Sequence, residues 1–278
     1  MRALRPSLKD NIVSKLILAW TLNTLSSLIV HASAETVPRS DEVHYLGMAV
    51  FDYHLTLDDI PVGGLSGLTY LGRHQYLAIS DDRSRLAPAR FYHLDINLDD
   101  GQIKQNDVHF TQLTPLRRKD GQHYGWGQID PEGIGYDAQR GVYIASEGDN
   151  LSAIAPRLDR YSLEGQWQQQ LPLPDEFIPA EQQGVRNNRS LESLALTPDG
   201  QFLFTATEQA LIQDGPESDE THSSPSRIVM INLNTAQVVH QYLYLTDRKG
   251  HGLVDLIALS KTQLLALERN QLCAQPRE

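Results

Sequence analysis

Short apolar runs recur along this chain, and two such runs joined by a compact polar turn predict a β-hairpin. The clearest pair is Ile134–Tyr136 and Val142–Ala145, both rich in β-branched and aromatic residues, on either side of a turn that contains Gly141. A hairpin folds its strands back on each other, so Glu132 before the first run and Glu147 after the second are expected at the same open end. The pattern predicts a hairpin that carries two carboxylates at its open end.

The same unit occurs four times, which decides the predicted fold. The other hairpins lie at 66–81, 192–208 and 255–268, so that the units start about 60 residues apart. Further strand-like runs follow the first three hairpins, at 91–96 and 108–113, 160–163 and 166–171, and 227–233 and 238–245. No long apolar pattern has the helical period of 3.6. We therefore predict an all-β, β-propeller-like fold of four-stranded blades, with one more strand at 45–53.

In a propeller the inner strand of each blade lines the central channel, and equivalent strand ends converge at one channel mouth. The acids that start or end the hairpins should therefore surround a single opening: Asp81, Glu132, Glu147, Glu192, Glu208, Asp255 and Glu268. Two carboxylates ~4 Å apart repel each other by roughly 4 kcal/mol at an effective dielectric constant near 20. The ring can therefore stay fully ionised only with cations, and otherwise some of its acids hold protons.

Oxygen ligands of this kind suit Ca²⁺ or Mg²⁺. We predict a cation site, with Ca²⁺ as the expected ion, and the ligand set is Asp81, Glu132, Glu147, Glu192, Glu208 and Glu268. Asp82, Asp130 and Asn188 lie close enough in sequence to contribute. The alternative is that the acids only fix blade turns through backbone amides and neighbouring arginines. Their recurrence in four repeats weakens that alternative, because turns accept Asn and Ser equally well.

Arginines adjoin several of these acids. Arg83, Arg186 and Arg269 are predicted to bind an anionic substrate, because guanidinium groups hold phosphate or carboxylate oxygens through paired hydrogen bonds, and Arg189 is a further neighbour. Ser66 is expected to be a turn residue, since Leu68 stands where a G-x-S-x-G nucleophile motif has its last glycine.

The first 34 residues have the pattern of a secretory signal peptide. A basic start precedes an apolar stretch at 16–30, and Ala32-Ser33-Ala34 is a small-x-small cleavage site. The alternative, a transmembrane anchor, needs ~20 apolar residues, and this stretch is shorter and interrupted by polar residues. We therefore divide the chain into a signal peptide at 1–34 and one β-propeller domain at 35–278, and expect a secreted or periplasmic protein.

Charge and cysteine content narrow the classes of partner. The formal net charge of the whole chain is −11, and removal of the signal segment, with four basic residues and one acidic residue, takes it to about −14. An acidic protein of this kind is not expected to bind nucleic acid or an anionic membrane. The single cysteine, Cys273, allows no internal disulfide and argues against Cys-based zinc sites. A monomer that binds a small anionic substrate is the expectation.

An ordered set of segments resembles the phytase-like domain family, described as having esterase-like activity of phytase. The segments are Gly63–Gly67, Ala78–Arg83, Asp130–Gly133, Ser146–Gly148, Arg186–Glu192, Glu208, Gln213–Pro216 and Leu267–Arg269. The resemblance implies an exported, propeller-like hydrolase whose repeated Glu and Asp residues form the hydrolytic site. Ser190-Leu191 stands where the family pattern has Gly-Phe. Similar proteins continue well past the Leu-Glu-Arg segment, so a C-terminally truncated domain is expected.

These patterns support two hypotheses. The first is a metal-dependent phosphoric ester hydrolase in which Glu132, Glu147 or Glu192 acts as ligand or general base and Arg83 or Arg186 offsets charge. The second is a non-catalytic propeller that uses the acids for a structural Ca²⁺ and the channel mouth for binding. Four inner hairpins, the last without outer strands, predict an open arc rather than a closed ring. Poor solubility and little activity are the expected consequences of that arc.

Overall fold

The computed structural model describes residues 43–149, 152 and 154–270, and the regular elements there are strands apart from three short 3₁₀ helices. The predicted signal peptide and Cys273 lie outside the described residues. All of these elements lie within the compact unit Tyr45–Glu278. The 3₁₀ helices span Gln105–Asp107, Asp175–Phe177 and Ile212–Asp214. Among the described residues, no helix has the length and apolar character that a membrane span needs.

Within the described residues, sixteen strands form three four-stranded antiparallel sheets and two hairpins. A first small hairpin pairs β1 (Thr56–Leu57) with β2 (Ile60–Pro61). Blade 1 comprises β3 (Leu65–Gly72), β4 (Gln75–Ser80), β5 (Arg90–Ile96) and β6 (Val108–Pro115). Blade 2 comprises β7 (Pro131–Asp137), β8 (Gly141–Ser146), β9 (Arg157–Tyr161) and β10 (Trp167–Leu171). Blade 3 comprises β11 (Leu191–Leu196), β12 (Phe202–Thr207), β13 (Pro225–Asn232) and β14 (Gln237–Leu245). The fourth inner hairpin is β15 (His251–Ala258) with β16 (Leu264–Asn270).

The strands of each blade follow one another in sequence order, and the first strand of each blade packs against the first strand of the next. Thus β3 contacts β7, β7 contacts β11, and β11 contacts β15. This is the inner-strand arrangement of a propeller, and it confirms the predicted four-stranded blades.

Alternation along the strands supplies the packing between blades. In β4, Leu77 and Ile79 face blade 2, where they meet Val142 and Ile144 of β8. The intervening residues of β8, with Tyr143 among them, face blade 3 instead. Because both faces of a blade are covered, these strands are apolar at successive positions rather than at every second one.

Glycine lets the inner strands approach each other. A Cβ added at Gly133 would lie 2.8 Å from the carbonyl carbon of Ser193 in β11, and one at Gly67 would lie 2.7 Å from the backbone oxygen of Glu132. Real Cβ atoms do not come so close to backbone atoms. Glycine at positions 67 and 133 therefore allows the strand segments that carry the acids to lie close together.

The blades form an open arc over the described residues. The hairpin β15–β16 packs on β11 and β12 of blade 3, and β3 is not among the strands on which it packs extensively. Apolar side chains accordingly remain exposed at both ends of the arc, such as Leu68 and Tyr70 on β3 and Ile257 and Leu267 on the hairpin. A closing blade would cover such positions in a complete propeller.

The strand predicted at 45–53 is wrong. This segment has one isolated bridge, from Gly47 to Ile103, and no strand. Tyr45, Met48 and Tyr53 are exposed, so the apolar alternation here does not reflect a buried sheet face. Pairing of β1 with β2 begins only at Thr56.

Candidate active site

A β-bulge occurs at the same place in the first strand of every inner hairpin. In each pairing the register skips one residue, between Leu65 and Gly67 in blade 1 and at the equivalent positions in the others. A bulge holds an extra residue and re-aims its side chain. The extra residues are Ser66, Glu132, Glu192 and Val254. Two bulges therefore present glutamates at the arc centre.

The residue that follows the second strand of each of the first three hairpins is acidic. The backbone N–H groups of Asp81, Glu147 and Glu208 donate to the carbonyls of Gly64, Asp130 and Ser190, at 2.7, 3.0 and 2.7 Å. These equivalent bonds fix the three acids in the same position relative to their blades. The predicted convergence of hairpin acids at one opening therefore has a structural basis in blades 1 to 3.

The fourth hairpin departs from the predicted equivalence by one residue. Its register pairs Leu253 with Glu268, so Val254 and Arg269 occupy the positions that hold glutamates in blade 3. The Glu268 carboxylate accepts hydrogen bonds from the Tyr244 hydroxyl at 2.8 Å and from the Asp247 N–H at 2.7 Å. Glu268 therefore anchors the hairpin to the segment after β14, and the repeat supplies an arginine to the centre where an acid was predicted.

A cavity of about 670 Å³ lies at the arc centre, and we call it the acidic cavity. Its wall includes six of the seven predicted acids: Asp81, Glu132, Glu147, Glu192, Asp255 and Glu268. Glu208 is fully buried beside it, where Arg189 and Arg269 lie 3.5 and 3.6 Å from its carboxylate oxygens. Asn188 also lines the cavity. The structure therefore brings the predicted set together, although Glu268 directs its hydrogen bonds elsewhere.

The tightest group in this region is Asp130, Glu132 and Glu147. One carboxylate oxygen from each lies within 4.8 Å of the others. Two oxygens bound to one Ca²⁺ at 2.3–2.6 Å can be at most about 5 Å apart, so these positions fit a shared cation. The sequence placed Asp130 only beside the ligand set, whereas the geometry makes it a principal candidate ligand. The donors are all oxygens, as Ca²⁺ and Mg²⁺ prefer.

Hydrogen bonds position these carboxylates. The Ser66 hydroxyl donates to Glu132, and the Ser190 N–H donates to Oε1 of Glu147 at 2.7 Å. Ser66 was expected in a turn, but it is the bulge residue of β3. Its short side chain faces the glutamate of the next blade, a contact that the local sequence does not reveal.

Burial raises the pKa of the clustered carboxyl groups and of Glu192. It raises the pKa of Asp130 to about 6, although Arg83 opposes the shift, and that of Glu147 to about 7. Burial likewise raises the pKa of Glu132 and of Glu192 well above neutrality, and the charges of neighbouring glutamates add to both shifts. Without a cation, the site therefore holds protons at neutral pH.

The three predicted substrate-binding arginines have different surroundings. Arg83 lies between two acids, with its guanidinium 3.5 Å from Asp130 and 2.9 Å from Asp149. Arg269 lines the acidic cavity, its side chain is 61% exposed, and its guanidinium lies 3.6 Å from the Glu208 carboxylate. Its position and exposure make it the arginine best placed to meet a ligand.

Arg186 lies apart from the acidic cavity. Its guanidinium donates to the carbonyls of Ala210 and Gly215 and pairs with Glu217 at 3.5 Å. These partners belong to the loop around the 3₁₀ helix Ile212–Asp214, so Arg186 holds that loop in place. Its predicted contact with substrate gains no support from this position.

The blades and the acidic centre together define a β-propeller-type protein with a carboxylate-rich channel mouth. The sequence model of the phytase-like family, described as esterase-like activity of phytase, matches residues 60–275. The chain belongs to the phytase-like family. No match was found among curated proteins.

Similar solved structures include three with low identity. A Dos1 propeller is 10% identical, with a TM-score of 0.37, over 71% of this chain and 40% of that one. A periplasmic gluconolactonase of Pseudomonas aeruginosa is 11% identical, with a TM-score of 0.38, over 75% of this chain and 66% of that one. A putative 6-phosphogluconolactonase from Bacteroides uniformis is 10% identical, with a TM-score of 0.34, over 75% and 71%. This chain thus spans less than two thirds of the length of the Dos1 propeller. Because the three TM-scores are low, the fold assignment rests on the observed blades and not on these similarities.

Proposed function

We propose that this protein is an exported, metal-dependent hydrolase of phosphoric esters that acts as a monomer on small anionic substrates. The observation that carries the proposal is the cluster of Asp130, Glu132 and Glu147, whose oxygens fit one cation, beside an exposed arginine on the same cavity. Membership of a family described by esterase-like activity supports a hydrolase.

The charge balance supports a role for a cation. Eight carboxyl groups lie in or beside the acidic cavity, and three guanidinium groups contact members of this set: Asp81, Asp130, Glu132, Glu147, Glu192, Glu208, Asp255 and Glu268 against Arg83, Arg189 and Arg269. An anionic ester would be repelled from such a surface unless further positive charge were present. A divalent ion bound by the three clustered acids would supply that charge and polarise a phosphoryl oxygen.

The protein's own groups have separate tasks in this proposal. Asp130, Glu132 and Glu147 would hold the ion, and Ser66 and Ser190 position two of these carboxylates, those of Glu132 and Glu147. Arg269, exposed on the cavity wall, binds the phosphoryl oxygens of the substrate.

Glu192 has the task of proton transfer. Its pKa is raised by burial and by the charge of Glu132, so it holds a proton at neutral pH. In the hydrolysis, a water molecule attacks phosphorus, the bond from phosphorus to the ester oxygen breaks, and Glu192 donates its proton to that leaving oxygen as a general acid. The proton lost by the attacking water returns Glu192 to its protonated form through solvent. As the bulge residue of β11, it is presented to the cavity by the backbone itself.

The test measures phosphate release from p-nitrophenyl phosphate and phytate, with Ca²⁺ or Mg²⁺ and with a chelator. We expect turnover that needs the cation and falls about 100-fold or more in Glu192→Gln, since general acid catalysis contributes that much. Glu181→Gln, an exposed glutamate away from the cavity, is the matched control and should retain full turnover. Turnover that persists in the chelator, or no turnover under any condition, would contradict the proposal.

A second candidate is a non-catalytic propeller with a structural cation. It is favoured by the bond from the Ser190 N–H to Glu147, because this bond ties blade 2 to blade 3. In that case Ca²⁺ raises the melting temperature without producing turnover, since a ligand that binds only the folded state stabilises it. The discriminating result would then be that Glu132→Gln loses the stabilisation by Ca²⁺ while neither the variant nor the wild type shows turnover.

A further inference from the structure

A second cavity adjoins the acidic cavity, and its lining differs in character. Its volume is about 1140 Å³, and Asp81 lies on the wall of both cavities. Its rim carries three apolar side chains that are strongly exposed, Tyr53 at 93%, Trp126 at 75% and Leu86 at 59%. We call this space the aromatic cavity.

The exposed tryptophan is held in place by its backbone. Trp126 lies in a turn in which the Gln128 N–H donates to the Gly125 carbonyl at 3.1 Å, and the Gly125 N–H donates to the Gln128 side chain at 2.8 Å. The Gly127 N–H donates to the Arg83 carbonyl at 2.9 Å, which ties this turn to the blade 1 loop. Because the backbone at Trp126 is already ordered, only the side-chain torsions of this exposed indole need to be fixed when a ligand packs on it.

The wall of the aromatic cavity also carries a positively charged side chain, that of Arg85. Arg85 lines the aromatic cavity and is exposed, and among the described residues its guanidinium makes no ion pair or hydrogen bond. The other arginines on this wall are committed, since Arg83 pairs with Asp130 and Asp149 and the buried Arg90 pairs with Asp82. Arg85 is therefore available to an anionic group of a ligand.

From these features we propose that the aromatic cavity is the leaving-group subsite of the hydrolase, for a phosphate ester whose leaving group has a planar ring with an anionic substituent. This inference rests on the proposed function for the position of the phosphoryl group. The ring packs on Trp126, and its substituent pairs with Arg85. The phosphoryl group lies in the acidic cavity, on the other side of Asp81. Aromatic faces attract planar rings, and a guanidinium suits a carboxylate or phosphate.

Binding of phosphonates, which cannot be hydrolysed, tests the subsite apart from turnover. Calorimetry with Ca²⁺ present compares methylphosphonate, phenylphosphonate and 4-carboxyphenylphosphonate. We expect phenylphosphonate to bind about 5- to 10-fold more tightly than methylphosphonate, and the carboxylated ring to bind a further 2- to 5-fold more tightly. A carbohydrate phosphate, glucose 1-phosphate, serves as the non-planar ring for comparison and should bind no better than methylphosphonate.

Each gain should depend on one residue. Trp126→Ala removes the gain from the ring and leaves methylphosphonate binding unchanged, while Trp126→Phe retains part of it. Arg85→Gln removes only the gain from the carboxylate, and Arg73→Gln, an exposed arginine in the β3–β4 turn, leaves both gains intact.

Three results would overturn the inference: equal affinity for methyl and phenyl ligands, ring preference that survives Trp126→Ala, or no phosphonate binding at all. Failure of the proposed function alone would give a different pattern of results. Ring preference would then be present and dependent on Trp126, but p-nitrophenyl phosphate would not be hydrolysed.

Discussion

Replacement of Glu147 by glutamine should stabilise the cation-free protein at alkaline pH. Glu147 is 3% exposed and accepts the Ser190 N–H, and burial raises its pKa from 4.5 to about 7. The folded state therefore binds a proton that the unfolded chain has already released, so stability is full below pH ~4.5 and falls as pH rises through about 7. A glutamine keeps the acceptor for Ser190 but has no charge to bury.

The magnitude follows from the difference between the two pKa values. Each pKa unit corresponds to about 1.4 kcal/mol, so the ionisable group costs the folded state about 3 kcal/mol once the pH exceeds 7. Glu147→Gln should therefore match the wild type at about pH 4 and exceed it at pH 8, by about 3 kcal/mol at most. For a domain of this size that corresponds to roughly 6 to 12 °C in Tm.

The assay is thermal unfolding from about pH 4 to pH 8, in chelator and in saturating Ca²⁺. In Ca²⁺ the order should reverse, because the wild type gains stability from the bound ion and the variant lacks one of its ligands. Glu181→Gln, an exposed control, should follow the wild type throughout. A Glu147→Gln protein that is less stable than the wild type at pH 8 in chelator would refute this account of the buried charge.

The remaining predictions concern the cation and the packing of blades. Binding of Ca²⁺ to the carboxyl groups should release protons at pH 7, because their pKa values are raised. Calorimetry in buffers of different ionisation enthalpy measures the number of protons released, and a value of zero would contradict the raised pKa values. Gly133→Ala should destabilise the protein by about 2 kcal/mol or more in chemical unfolding, because its Cβ would lie 2.8 Å from Ser193, whereas Gly63→Ala, with no atom within 4 Å, should have little effect. Asp82→Asn should cost about 3 kcal/mol in the same assay, since it leaves the buried Arg90 without its ionic partner, and a loss under 1 kcal/mol would show that this pair contributes little.

The repeat and its acids could be predicted from the sequence because both are local. Short apolar runs and turns with glycine locate the inner hairpins, and an acid at each end of a hairpin must lie at its open end. The bulges could not be predicted in this way. A bulge adds one residue without a signal in the apolar pattern. In the fourth repeat the sequence therefore predicts Asp255 and Glu268 at the positions of the central acids, whereas the observed register places Val254 and Arg269 at those positions.

Contacts between distant segments account for the other differences. Arg186 has acids nearby in sequence, but its partners Ala210, Gly215 and Glu217 come from a loop that folds over it. Ser66 meets Glu132 only because blades 1 and 2 are adjacent. Neither contact has a local sequence signal.

The central claim, that the clustered carboxylates bind one divalent cation, is tested most directly by calorimetric titration of Ca²⁺ into chelator-treated protein. The account predicts one site in the wild type and in Asp175→Asn, an exposed acid that serves as control. In Asp130→Asn, affinity should fall at least 10-fold, since one of the three clustered carboxylates is lost. Equal affinity in Asp130→Asn and the wild type, or no binding to the wild type, would contradict the claim.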